Sequence, residues 1–471
     1  MSTPLCVDLD GTLLLTDTVH EQLLLLLKRQ PWMLFLLPFW FFRGREYLKR
    51  QLDARVDLPI DSLPFNLPLL TWLKEQKERG KELILVTGSY ITIAQKIAVH
   101  LQCFDDVMAT TENYNMRGEK KRDALLLRFG EKKFDYIGND ASDVPVWKAA
   151  RQSIICQKGP KKPGFLRSLP DISVIETDAF SWKVFLKTIR VHQYAKNILL
   201  FLPMLLAHQL TNTVTWTHTC VGFVSFCLLA SSVYVFNDLL DLDVDRRHPR
   251  KSKRGFASGQ LSISMGIALF LGLLFVSTVL ASTLPAAFTW VLAAYYVLTL
   301  LYSFRLKQVM LVDVLALSML YTLRLFAGAA ILAKPYSHWL ILFSLSFFTG
   351  LAFLKRYVEL KDTMQRGNSV LNGRGYIGED ISMLHQFGVC AGYLSVLILA
   401  LYLSSQKAAM LYAHPNFLYA MCPLLIYWVS RIWMLANRDQ VHDDPIVFAL
   451  KDKTTYLIAG LVFVVGLFAA F

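Results

Sequence analysis

Leu5-Cys6-Val7-Asp8-Leu9-Asp10-Gly11-Thr12 joins three apolar residues to two carboxylates and a turn. A short apolar run that ends in turn residues reads as a strand buried on both faces, and open α/β sheets bind ligands at the carboxyl ends of such strands. Two carboxylates there can divide phosphoryl transfer between them. One attacks phosphorus; the other protonates the leaving oxygen and then activates water. An Asp-Gly turn would account for only one of them. Similar runs recur at Glu82-Leu83-Ile84-Leu85-Val86 and Phe134-Asp135-Tyr136-Ile137, alternating with helical stretches, so residues 1–175 are expected to form a parallel α/β domain. A helical insertion at about 18–72 contains Pro31 to Phe42 (PWMLFLLPFWFF), twelve residues without a charge. That is too short for a span of about 20 residues. It suits a helical cap with its own core and an anchor at a lipid surface equally, because aromatic side chains serve both.

Other strand ends add to the first. Thr87-Gly88-Ser89 offers a hydroxyl and backbone N–H groups to a phosphate, Lys120 and Lys121 precede an apolar helix, and Gly138-Asn139-Asp140-Ala141-Ser142-Asp143 is an acidic loop suited to Mg²⁺. Singly, each is an ordinary turn or solvated face. In this order they resemble the haloacid dehalogenase superfamily of phosphatases over most of residues 1 to 157. The resemblance implies a Rossmann-like fold with a helical cap, Asp8 as nucleophile, Asp10 as acid/base, Thr87 and Lys121 as phosphate ligands, and Mg²⁺ held by Asp8, Asp10 and Asp143. Asn139 stands where many relatives have Asp, which leaves the place of Asp140 open and Lys120 a rival to Lys121.

The rest of the chain is a different material. Of 471 residues 54% are hydrophobic and 18% charged, and the mean hydropathy is +0.39, too apolar for a soluble protein and too charged for membrane spans alone. A basic linker rich in Pro and Gly falls at Lys158 to Pro170, and a membrane domain is expected over 176–471. Nine apolar segments can be drawn, at about 197–213, 217–236, 263–282, 286–304, 311–332, 338–354, 385–404, 416–434 and 454–471. Loops 237–262, 305–310, 355–384 and 435–453 carry 16 Lys or Arg, and the alternate loops carry two. That asymmetry puts the first set, and the N-terminal domain, on the cytosolic side of a plasma or inner membrane. It also accounts for the net charge of +13 without nucleic acid. The seven cysteines show neither C-x-x-C nor zinc spacing, and the N-terminus lacks a signal peptide's basic region.

At the end of the second segment stands Asn237-Asp238-Leu239-Leu240-Asp241-Leu242-Asp243-Val244-Asp245. On a continuous helix Asn237, Asp238, Asp241 and Asp245 share one face and Asp243 falls off it. Clustered carboxylates near a membrane are costly unless a cation joins them, and oxygen donors of this kind suit Mg²⁺ shared with a diphosphate. A solvated acidic loop is the plain alternative. With Arg246, His248-Pro249-x-Lys251-x-x-Arg254 and Ala257-Ser258-Gly259, and then Tyr302-Ser303, Lys307, Asp313 and Tyr321-x-x-Arg324, the pattern resembles the UbiA superfamily of intramembrane prenyltransferases. That resemblance implies an all-α domain of about nine transmembrane helices with Mg²⁺ on the acidic face. Leu317 occupies the position four after Asp313, where aromatic prenyltransferases commonly have a second aspartate.

Arg190-x-x-Gln193-Tyr194-x-Lys196-Asn197 and Lys355-Arg356-Tyr357-x-Glu359-Leu360 look like the branch typified by decaprenyl-phosphate phosphoribosyltransferase. The resemblance implies transfer of 5-phosphoribose from phosphoribosyl diphosphate to a polyprenyl phosphate lipid. Lys196, Lys251, Arg254, Lys355 and Arg356 would hold phosphates, and Gln193, Asn197, Asp313, Arg324 and Glu359 the substrates. Two other readings were weighed. One is prenylation of an aromatic acceptor by a polyprenyl diphosphate, with a phosphatase acting on a soluble substrate. The other is a transporter or lipid-binding scaffold with a dead phosphatase domain.

Overall fold

The computed structural model describes residues 3–159, 164, 172–177, 181–332, 337–371, 373–441, 445–449 and 451–470. Most of the expected linker, Lys158 to Pro170, lies outside the described residues. The chain divides into two compact units, one of Met1–Val191 with Tyr234–Gly272 and one of His192–Val233 with Leu273–Phe471.

The first unit is built on six parallel strands, β1 (Leu5–Val7), β2 (Leu83–Tyr90), β3 (Asp106–Thr110), β4 (Asp135–Gly138), β5 (Gln152–Lys158) and β6 (Ile172–Thr177), in the order 3-2-1-4-5-6. Val7 lies opposite Leu85 of β2 and Ile137 of β4, so β1 is central, and Leu5, Cys6 and Val7 are fully buried. The order reverses between β1 and β4. Loops leaving those two strands part in opposite directions and open a crevice at their carboxyl ends.

Helix α1 (Thr18–Arg29) starts where the Asp17 side chain accepts from the N–H of Val19 at 2.9 Å and of His20 at 3.1 Å. Glu21 in its first turn and Lys28 and Arg29 in its last complement the helix dipole. A 3-10 stretch, Pro31–Leu36, then leads to α2 (Leu37–Phe42) and α3 (Arg45–Asp53), and the helix Leu67–Glu78 returns the chain to β2. Trp40 is buried in the unit's core, with Met33 and Leu37 packed beside it.

Among the described residues eight helices are long and apolar enough to cross a membrane: Thr213–Leu240, Ile263–Ser282, Ala286–Phe304, Val312–Ile331, His338–Gln365, Gly378–Leu403, Pro415–Asn437 and Lys453–Ala470. The first of the nine apolar segments, 197–213, is not among these eight. It is the end of a 3-10 stretch, Val191–Phe201, followed by the five-residue helix Leu202–Leu206. Pro203 sits in that helix's first turn, where its missing N–H costs nothing, and so it starts a short helix instead of extending a long one. In the second unit small residues allow close helix contact. A Cβ on Gly350 would lie 3.1 Å from the Gly388 carbonyl and 3.1 Å from the Gly392 nitrogen.

Candidate active site

Asp8 follows β1, and its N–H donates to the Ile137 carbonyl at 2.9 Å, which fixes it at the point where the strand order reverses. Asp143 arrives from the turn Ala141–Asp143 after β4, held by Tyr136 Oη at 2.7 Å and the N–H groups of Asn139 at 3.1 Å and Asp140 at 3.3 Å. Lys121, on the helix Glu119–Phe129, places Nζ 2.8 Å from Asp8 Oδ1 and 3.4 Å from Asp143 Oδ1. Lys120 is exposed and lies over the Tyr114 ring, so Lys121 is the lysine brought to the two carboxylates. Asp140 instead caps its own turn, accepting from Ser142 N and Oγ at 2.6 Å.

Burial pushes the Asp8 carboxyl up to about 7; Lys121 opposes the shift and Asp143 adds to it. Burial and then Asp17 push Asp10 up to about 6, against hydrogen bonds from Ser89 and Thr18. Asp10 accepts from Thr18 N–H at 2.8 Å and from the Ser89 hydroxyl. Thr87 is buried within β2, where its hydroxyl accepts from Ser89 N–H at 3.0 Å at an irregularity in the strand register. Gly11 has φ +75°, and a Cβ there would lie 2.1 Å from Asn139 Nδ2, so this position of D-x-D-G-T admits only glycine. Lys49 of α3 donates to the Gly88 carbonyl at 2.5 Å, bringing a cation from the cap to the strand end. No motif signalled it; in sequence it is one basic residue among several on a polar helix.

In the acidic segment the helix Thr213–Leu240 ends before Asp241, which begins the helix Leu242–Arg247 with non-helical angles. The interruption divides the face expected from the spacing. Asp238 and Asp245 are buried and converge on one atom, Arg254 Nη1, at 3.0 and 2.6 Å. Arg190 Nη2 also donates to Asp238 at 2.6 Å, and Lys251 Nζ is 4.0 Å from Asp245. Asp241 turns instead to Lys28 of α1, at 3.5 Å, which it shares with Asp243 at 2.9 Å. One turn on, Arg246 grips Glu21 of α1 with both terminal nitrogens, at 3.1 and 2.6 Å. Asn237 is half-buried beside Asp238.

In the second unit, Arg356 is fully buried, and its three nitrogens donate to Asp313, Glu359 and the Tyr302 hydroxyl, so its charge is already paired within the protein. Asp313 also accepts from Tyr376 Oη at 2.5 Å, and Arg374 lies 3.6 Å from Asp313 and 3.5 Å from Glu359. Asp313 and Glu359 therefore brace the bundle. Arg374 and Tyr376 come from a loop in which no spacing marked them. Lys355 is half-buried on the same helix as Arg356.

Further along the helix Val312–Ile331, Arg324 is buried and has neutral partners. Its Nε donates to Asn197 Oδ1 at 2.8 Å and its Nη2 to Tyr295 Oη at 3.3 Å, Nη1 reaches the Leu320 carbonyl, and the rings of Phe226, Tyr295 and Tyr321 lie within 5.4 Å. Lys196 lies 5.9 Å over the Tyr321 ring, and Gln193 is half-buried on the same 3-10 stretch.

Among the described residues no three His, Cys, Asp or Glu side chains gather as a self-sufficient metal centre. Carboxylates converge in pairs, Asp8 with Asp143 and Asp238 with Asp245, each around one protein cation. Mg²⁺ is commonly held by one or two carboxylates together with water and substrate phosphate, so both pairs fit it.

Residues 198–469 match the model of the UbiA prenyltransferase family. The uncharacterized protein y4nM of Sinorhizobium fredii is 35% identical over 98% of this chain and 89% of its own. Decaprenyl-phosphate phosphoribosyltransferase of Mycolicibacterium smegmatis is 32% identical over 39% of this chain and 59% of its own. Among solved structures, a UbiA homolog from Archaeoglobus fulgidus bound to DMAPP and Mg²⁺ superposes with a TM-score of 0.45 at 14% identity, covering 60% of this chain and 98% of that one.

Proposed function

Because the chain belongs to the UbiA prenyltransferase family and is a multi-pass integral membrane protein, we propose that it transfers 5-phosphoribose from phosphoribosyl diphosphate to a polyprenyl phosphate, and that its N-terminal domain then removes the 5-phosphate. The observation that carries the first step is the convergence of Asp238 and Asp245 on Arg254, with Arg190 and Lys251 alongside. When bound there, Mg²⁺ neutralises charge on a departing diphosphate. Arg190, Arg254 and Lys251 bind its oxygens. The bond from ribose C1 to the diphosphate breaks, the diphosphate keeps the electron pair, and an oxygen of the lipid phosphate bonds to C1. That oxygen is already anionic and needs no general base.

Arg324, buried with neutral described partners, serves as a further anion ligand, with Asn197 orienting it.

In the second step Asp8 attacks the 5-phosphate while Asp10 protonates the leaving ribose oxygen; water then releases phosphate from Asp8. Lys121 and Thr87, with the neighbouring Ser89 hydroxyl, hold the phosphoryl oxygens. The asymmetry of the loop charges supports a cytosolic face for both steps.

Mass spectrometry of lipids after the full chain is incubated with Mg²⁺, phosphoribosyl diphosphate and a polyprenyl phosphate tests both steps. The wild type should yield lipid-linked ribose with one phosphate, and Asp8→Asn should accumulate the form with two. No lipid-linked ribose from either protein overturns the transferase; an unchanged ratio in Asp8→Asn overturns the coupled phosphatase.

A further inference from the structure

The segment Pro31–Phe42 is apolar on every side, yet the protein covers only one side of it. Met33, Leu37 and Trp40, spaced four and three apart, form the stripe that packs into the first unit's core. The remainder faces outward: Phe35 and Phe42 are each 87% exposed, Trp32 59%, Phe41 57% and Phe39 51%. Five aromatic rings standing together in the open are far more than the scattered apolar residues of an ordinary surface. A helix that is hydrophobic all round belongs in a second apolar phase.

We propose that Pro31–Phe42 inserts into the bilayer surface as an interfacial anchor of the N-terminal domain, on the same side of the membrane as that domain. The eight apolar helices in the same chain keep a bilayer present wherever this segment is. Its rim has the right charge. No acidic residue occurs between Pro31 and Phe42, and Arg29, Arg43 and Arg45 stand exposed at its two ends. The Arg43 guanidinium lies 4.4 Å over the Phe39 ring, so its stem and charge already flank the apolar face, as a side chain does when it reaches from acyl chains to anionic headgroups. Trp32, with its single N–H, sits at one end, where a bilayer's headgroup level accommodates an indole. The proposal rests on burial, composition and charge, and holds whether or not the domain is a phosphatase.

The test uses the full-length protein in vesicles of phosphatidylcholine and phosphatidylglycerol, in a variant whose Cys220, Cys390 and Cys422 are replaced by serine. An environment-sensitive fluorophore is attached through Phe35→Cys or Phe42→Cys, and through Leu127→Cys as the control, since Leu127 is 91% exposed on the same domain. With brominated phosphatidylcholine in the vesicles, fluorescence at positions 35 and 42 should fall at least twofold while position 127 is unchanged. Quenching at 35 and 42 no greater than at 127 overturns the proposal. So does unquenched, blue-shifted emission at 35 accompanied by disulfide cross-linking of Phe35→Cys chains, which would assign the face to a second copy of the protein.

Discussion

Asp8 and Asp143 come from loops on either side of the β1–β4 boundary and meet at Lys121; Asp238 and Asp245 lie on one short stretch of chain and meet at Arg254. The sheet pair is held from behind. Tyr136 and two backbone N–H groups fix Asp143, the bond to Ile137 fixes Asp8, and the Lys121 side chain is 5% exposed. The helical pair is held from in front by its cations, and the Arg254 side chain is 33% exposed. A scaffold that fixes the carboxylates themselves suits one small, invariant phosphoryl group. A scaffold that fixes them through partly exposed guanidiniums leaves those cations within reach of a larger anion, as the proposed diphosphate would be.

Removing the cation should therefore hurt the sheet most. Lys121→Met leaves two buried carboxylates facing each other and should cost the N-terminal domain about 3–5 kcal/mol, by analogy with broken buried ion pairs. Hydrogen exchange of β1 and β4 in the full chain measures it. Lys121→Met/Asp143→Asn should recover part of the loss, and no loss in the single variant would break the comparison.

Next in size, Asp245→Asn should lower transfer of labelled phosphoribose to lipid by about a hundredfold, in the range found when a charge-stabilising group is removed from an active site. Hydrolysis of a generic phosphomonoester by the same protein should not change. Equal loss of both activities would show that the two carboxylate pairs are not separate centres.

Smallest is Asp241→Asn. Asp241 pairs with Lys28 at a half-open site, and its loss should slow transfer less than about fivefold, as for exposed ion pairs. If Asp241→Asn is as severe as Asp245→Asn, Asp238, Asp241 and Asp245 act on one face and the helix closes up when substrate binds.

Much of this was legible in the residues. Leu5-Cys6-Val7 before D-x-D-G-T points to a buried strand with its chemistry at the end, because a strand covered on both faces is mostly apolar. Motif order pointed to a lysine for this site but left Lys120 and Lys121 as rivals, and it is Lys121 that meets Asp8 in the fold. The break at Asp241 did not, since helical spacing is reckoned along an unbroken helix and says nothing of where the helix stops. Nor did the grip of Arg246 on Glu21, because charges that meet only after folding leave no local pattern. Arg356 read as a phosphate ligand for a related reason. A basic residue near a membrane looks the same in sequence whether its partner is a substrate or, as here, Asp313 and Glu359.

Those last contacts bear on how the protein responds to membrane voltage. Asp313 and Glu359 against Arg356 and Arg374 are two negative charges against two positive, so an electric field across the bilayer does no net work in displacing the cluster as a whole. Arg324 differs, since its described partners are neutral and its charge is felt in full. A full unit charge carried across the membrane changes energy by about 2.3 kcal/mol per 100 mV. An anion bound at Arg324 would offset that charge, so displacing the loaded pair would do less work in the field than displacing Arg324 alone.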